Sequence, residues 1–346
     1  MRYDLIIVGD ALAARVFLYE YSKRVTIKNA QIPRVLILSA PKSYAPCSLH
    51  STATVSKIGL QRSVGALGDR LLDAFELFEK FMEQNETKQF VAHANHYQLL
   101  FGERSRHEER YGNARPLEGV LEGWEASRAA CYLIKPDMFL SLLKQSFSHV
   151  LNCEWRETSV LHVAAHGEVI TSSGKFHSER VLVCAGAAGE ELLEESFHKS
   201  SAFKKGSIVG GSYLEWKLDN PLPSLGESWQ FALSKFNVIY RAIDRTLMLG
   251  GTSTKGLQCF HPLDMREQYD LAKSVFKEAL PEFNKAFFSC GERSKLPGRR
   301  TFWGQLEGSV YAIRGLYKNG FTLSFLAAHE LLNDEKFNES LGIHLQ

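Results

Sequence analysis

Six cysteines are present (Cys47, Cys131, Cys153, Cys184, Cys259 and Cys290), yet no two form a C-x-x-C pair. Reduced thiols in a cytoplasmic protein are therefore expected, not a disulfide framework. No apolar run approaches the length of a bilayer span, so no membrane-spanning helix is expected. The first apolar run begins at Tyr3 and is only a strand long, so no secretory signal is expected either. Excess charge of one sign is also missing. Lys and Arg number 41 against 39 Asp and Glu, for a formal net charge of +2, which gives no overall field for nucleic acid or an anionic membrane. The basic pairs Lys204-Lys205 and Arg299-Arg300 are too short to change that. There is no H-E-x-x-H. His162 and His166 stand four apart on a strand and its turn, where that spacing shares no helical face, and His93 with His96 is a lone H-x-x-H. No metal site is expected.

What is present begins at once. Tyr3–Val8 is a short apolar run rich in β-branched residues that ends at Gly9. Asp10–Leu18 switches to helical spacing, and Arg34–Leu38 is a second buried-strand run. Strand, tight turn, helix and strand make the βαβ unit that holds a dinucleotide pyrophosphate at a helix N-terminus. Two of the fingerprint glycines are missing: Gly9, Ala11 and Ala14 read Gly-x-Ala-x-x-Ala. Gly9 can make the sharp turn, while Ala11 adds a methyl near the phosphate and Ala14 one at the helix–strand contact. The acidic residue expected after the second strand is Ser39. Asp10 puts a carboxylate beside the expected pyrophosphate, where it repels unless it turns away to cap the helix.

Beyond this unit, Pro41–Lys57 is a loop of small polar residues, including Ser48 and Ser51, suited to wrapping a ligand. Gly68–Glu83 has the apolar spacing of an amphipathic helix. Phe90–Phe101 reads as a strand pair, and charged Gly102–Arg115 as an irregular surface excursion. A helix opens at Pro136. A meander follows (Ser159–Val163, then Glu168–Thr171), leading to the strand Arg180–Cys184 and the small residues Ala185–Gly189. Such a strand is buried and parallel, with something bulky at its C-terminal edge. Between Ser207 and Cys290 the chain is β-rich, with strands Ser212–Leu218, Phe236–Ala242 and Leu247–Leu249 and a helix across Met265–Leu280. Val310–Leu323 is a strand, a Gly-flanked turn and the start of a helix running through Leu332.

Four stretches in this order resemble the D-amino-acid-oxidase-type FAD-dependent oxidoreductases, the group of glycine oxidase and sarcosine oxidase. They are the opening βαβ, Val181–Gly189, Leu249-Gly250-Gly251-Thr252, and Gly315–Gly320 before a helix. The resemblance covers nearly the whole chain. It implies a mixed α/β fold: a discontinuous Rossmann-like FAD-binding domain (1–80, 131–203 and 291–346) with an inserted antiparallel β-rich substrate domain (81–130 and 204–290). It further implies that FAD lies on Gly9, Ala11, Ala14, Ser39, Ser48, Ser51, Val160, Ala185, Gly186, Gly315, Asn319, Gly320 and Phe321. Catalytic positions follow in the same way: Arg300 to clamp a substrate carboxylate, Lys318 near the flavin, and Tyr240 on the β-rich lobe, where core packing is the competing role. The segment after Arg300, Thr301–Gly308, is shorter than the family's and lacks its Pro and Asp-Gly-x-Pro.

The implied activity is FAD-dependent oxidation of the C–N bond of a small amine or amino acid, by hydride transfer to flavin. Two other readings stand beside it: a non-catalytic or regulatory member with weakened or lost FAD binding, and an NAD-linked dehydrogenase, which leaves the Gly315–Gly320 helix start without a role.

Overall fold

The computed structural model describes residues 2–25, 32–41, 46–58, 60, 66–117, 121–222, 227–233, 236–255 and 262–338. They fall into two units, Met1–Ser48 with Leu140–Val209 and Glu292–Gln346, and Leu49–Phe139 with Gly210–Gly291. This division differs from the expected domain bounds at residues 49–80, 131–139, 204–209 and 291. Cys259 and part of the Pro41–Lys57 loop (42–45) lie outside the described residues.

The first unit is built on parallel strands. Val310–Arg314, Gly174–Val183, Arg2–Val8, Arg34–Ser39 and Asn152–Glu157 lie side by side in that order. The register sets Ile6 opposite Val181 and Leu36, so three apolar runs stack at the centre. Val35–Leu38 are all buried, as are Val310–Arg314, because such a sheet is covered on both faces and does not alternate. The hairpin Val160–Val163/Glu168–Thr171 pairs onto Gly174–Val183, and Phe302–Glu307 closes the other edge antiparallel to Val310–Arg314. Two helices, Leu12–Arg24 and Gly320–Leu331, pack on each other. The second is buried nearly all round, which accounts for its uniformly apolar sequence.

The second unit is a mostly antiparallel sheet. Ser207–Lys217, Thr246–Gly250, Phe236–Arg241, Trp229–Leu233, Val91–Leu99, Glu125–Ile134 and Thr54–Ser56 follow one another across it, with Trp229–Leu233 and Val91–Leu99 the one parallel pair among them. The helix Pro262–Phe276 packs Met265, Tyr269, Ala272 and Phe276 onto Trp216, Trp229, Phe231 and Tyr240. Phe78, Phe81 and Phe90 ring Phe139, all within this unit.

Two expectations fail here. Phe90–Phe101 is one strand, Val91–Leu99, and not a strand pair; its partners come from far along the chain. Gly102–Arg115 contains a helix, Arg104–Tyr111, stabilised locally by the i,i+4 pair Arg104–Glu108 and anchored by buried His107, whose Nε2 meets Ser127 Oγ at 2.9 Å. His93 and His96 share one strand but sit three apart, which turns His93 to solvent and buries His96. Among the described residues no helix is long and apolar enough to cross a membrane.

Candidate functional site

The chain turns at Gly9 with φ +109°, and the Gly9 N–H donates to the Leu38 carbonyl at 2.8 Å. A Cβ there would lie 2.7 Å from the Cys184 carbonyl oxygen, on the neighbouring parallel strand. Only glycine fits both the angle and the space. The helix behind it starts at Leu12 with Ala11 as its cap, and no side chain bonds the free N–H groups of its first turn. No acidic residue stands in that turn either. Asp10 turns away, but not to cap: its oxygens accept from Arg15 Nε and Nη2, each at 2.9 Å, and Arg15 Nη1 holds the Leu140 carbonyl at 3.0 Å. The carboxylate is neutralised at the flank, and the helix N-terminus stays positive. Ala14 is fully buried, its methyl enclosed within the fold.

These features fit the pyrophosphate of FAD: a Cβ-free turn, an uncapped helix N-terminus and a carboxylate cancelled by its own arginine. Ser39 ends the second strand half-buried, and its hydroxyl reaches the Arg156 carbonyl only at 3.4 Å, leaving it nearly free for a ribose. Val160 begins the edge hairpin, and Ala185 with Gly186 (φ +59°) forms the turn after Gly174–Val183. The Ser48 hydroxyl, in the first unit, and the Ser51 hydroxyl, in the second, are each buried without a partner.

A second glycine turn lies at Gly315, φ +72°, where a Cβ would meet Leu296 Cγ at 2.7 Å. Leu316–Asn319 follow, and Gly320–Leu331 is the helix, again without a side-chain cap although Asn319 stands at the cap position. Phe321 is buried within it. This turn gathers cations. Lys318 is accessible to solvent, yet protein crowds its ammonium enough to lower its pKa; Tyr317 opposes the shift, while Arg293, Arg299 and Lys295 add to it.

The sequence does not single out Arg293, which lies near Lys318 at the same turn. It lies on the strand Phe287–Lys295, half-buried, with Nη1 enclosed and unpartnered. Its guanidinium stands beside the Cys47 thiol; burial raises that thiol's pKa and Arg293 lowers it. Arg300 follows a short 3-10 turn, Pro297–Arg299, and is exposed. The run Glu292-Arg293-Ser294-Lys295 reads as solvated surface, and the strand's burial does not alternate, so no periodic signal marked it.

Tyr240 is 2% exposed and packed into the second unit's core with its ring tilted against Trp229, its hydroxyl accepting from the Leu222 N–H at 3.4 Å. Its role in packing is visible in the cluster it joins with Trp216, Phe231 and Phe276. Tyr213, paired with Gly250 across the sheet, lines with Ser51, Lys135 and Arg241 a recess of about 250 Å³ in the same unit.

No protein-family model matches the chain, and no curated protein sequence matches it. Solved structures do. Glycine oxidase from Geobacillus kaustophilus is 18% identical with a TM-score of 0.75, over 100% of both chains. L-alpha-glycerophosphate oxidase from Mycoplasma pneumoniae, solved with FAD bound, is 13% identical with a TM-score of 0.79, over 100% of this chain and 96% of that one. Iminodiacetate oxidase from Chelativorans is 14% identical with a TM-score of 0.70, over 94% and 93%. A parallel-sheet unit carrying two glycine turns, joined in one chain to an antiparallel sheet and superposing end to end on these oxidases, has the fold of the D-amino-acid-oxidase-type FAD oxidoreductases.

Proposed function

We propose that this protein binds FAD through its first unit and oxidises the C–N bond of a small amine or amino acid, with the second unit as the substrate domain. The observation that carries the reading is the pairing, within one unit, of an uncapped helix start behind Gly9 with the cations Arg293 and Lys318 at the Gly315 turn. Bound FAD supplies the electron-pair acceptor, a chemistry no side chain provides.

The chain's own groups do the rest. Backbone N–H groups of the first turn after Ala11 hold the pyrophosphate, and Ser39 meets the ribose. The N-terminus of Gly320–Leu331, with Lys318 before it, supplies positive potential that would favour the more negative, reduced form of a flavin bound beside it. Arg293 offers a planar fork to a substrate carboxylate, which aligns the carbon beside nitrogen for hydride loss. An amine bound neutral needs no side-chain base, and the imine product then hydrolyses in water.

The replacements Ala11 and Ser39 favour a second reading, a non-catalytic member of the fold with weakened flavin binding. Purified protein decides between them. A flavin absorption band that bleaches anaerobically with glycine, sarcosine or another small amine supports the oxidase. A yellow protein that none of them bleaches supports the non-catalytic reading with weakened flavin binding, and a colourless one that takes up no added FAD removes the oxidase and leaves the non-catalytic reading with flavin binding lost.

A further inference from the structure

We infer that Glu190 is a positioning residue for the Arg293–Lys318 pair, joining the strand that carries Arg293 to the turn that carries Lys318. The significance of the pair rests on the function proposed above; the tie itself is visible within the first unit.

Glu190 opens the helix Gly189–Phe197 and is 7% exposed. One carboxylate oxygen accepts from the Ser294 hydroxyl and the other from Arg314 Nη2. Ser294 is the residue after Arg293, and Arg314 the residue before Gly315. The loop closes on itself, because Ser294 Oγ also accepts the Gly315 N–H at 3.2 Å. Arg314 Nη2 further donates to the Lys204 carbonyl at 2.9 Å, and its guanidinium lies over the Phe203 ring at 4.6 Å. Ser294 and Arg314 are 6% and 4% exposed. A Cβ on Gly206 would overlap the Glu190 carboxylate, so this backbone leaves room for it.

A buried ion pair is by itself weak evidence for stability, since apolar side chains of like volume often serve as well. This one is placed where it matters to two segments. A serine is suited to the junction because one hydroxyl donates to the carboxylate while accepting a backbone N–H. Alanine at 294 leaves the Gly315 N–H unbonded and a carboxylate lone pair bare, so the turn is released while the Glu190–Arg314 pair persists. Glutamine at 190 keeps the shape but weakens both bonds.

Ser294→Ala, Ser294→Thr and Glu190→Gln test this in the full chain as purified, by amide hydrogen exchange and by calorimetric titration with benzoate as a simple carboxylate. Ser294→Ala is expected to speed exchange across residues 314–320 about tenfold or more while residues 2–24 exchange as in wild type. Benzoate should bind roughly 10-fold or more weakly to Ser294→Ala and Glu190→Gln. Ser294→Thr, which keeps the hydroxyl, should restore both. Unchanged exchange across 314–320 overturns the inference, as does loosening throughout the unit that Ser294→Thr does not repair. If wild-type protein binds no benzoate, the carboxylate-binding role of Arg293 fails, and the exchange result alone still decides the tie.

Discussion

Two of the glycine turns in the first unit, at Gly9 and Gly315, each feed a helix, and they draw their charge from different sources. At Gly9 the nearest side-chain charges cancel, Asp10 against Arg15, and the positive potential comes from backbone N–H groups alone. At Gly315 the helix is again uncapped, but Lys318, Arg293, Lys295 and Arg299 crowd the turn, and Glu190, the carboxylate tied to it, is occupied by Arg314. The first arrangement suits a large, fixed anion held by the main chain. The second suits a charge that arrives and leaves, because side-chain cations attract it over a longer range and can be shed with little rearrangement.

The comparison breaks most visibly at the glycines. Gly9→Val forces a branched side chain into a left-handed angle and against a backbone carbonyl that cannot give way. We expect a cost of about 3–6 kcal/mol and no bound flavin, read by thermal melting and by the absorption spectrum. Gly315→Ala meets mainly a leucine side chain, which can shift, and should cost only about 1–3 kcal/mol. Equal losses at the two positions would mean that the turns are equally confined.

Next in size is the arginine. Arg293→Ala should lower kcat/KM for an amino-acid substrate by about 30- to several-thousand-fold, the equivalent of roughly 2–5 kcal/mol for a desolvated charge pair. Arg293→Lys should be nearly as harmful, since ammonium does not reproduce the fork. Flavin content should persist in both. Exposed Arg300→Ala should turn over like wild type, and a large loss there would return the carboxylate to the residue the sequence first suggested.

The pH dependence of carboxylate binding probes Lys318. Its pKa is lowered, chiefly by the protein crowding it, so the ammonium is lost at a lower pH than for an ordinary lysine. Affinity for benzoate should hold below that pKa and fall as pH rises through it, and Lys318→Arg should move the fall to higher pH. A wild-type profile that stays flat well into the alkaline range would remove Lys318 from the site.

The smallest effect belongs to the Gly9 side. Ser39→Glu replaces a weakly engaged hydroxyl with a carboxylate able to make a charge-assisted bond. FAD should bind roughly threefold to tenfold tighter in an equilibrium titration. Weaker binding would mean that the adenosine half lies elsewhere.

Local chemistry made some of this molecule legible from the chain alone. The runs Tyr3–Val8 and Arg34–Leu38 are apolar without alternation because both faces of the sheet are covered, and Gly9 and Gly315 mark turns that other residues resist. The register of motifs along the chain was enough to suggest the fold. It was not enough to tell which of Arg293, Arg300 and Tyr240 is exposed and which is enclosed. Exposure is set by distant partners: Tyr240 is enclosed by Trp229, and the 3-10 turn Pro297–Arg299 leaves Arg300 exposed. Asp10 shows the same division. Its carboxylate could be foreseen, but it meets Arg15 only because the helix begins at Leu12 and brings that side chain back over the turn. Glu190, Ser294 and Arg314 carry no signal along the chain, since 104 and 124 residues separate the carboxylate from its partners. Sequence by itself determined where the backbone could turn and which runs had to be buried, because both follow from single residues and short spacings. Tertiary structure alone decided which charges are paired and which are left for a ligand, because burial and pairing are properties of strands and helices brought together from far apart.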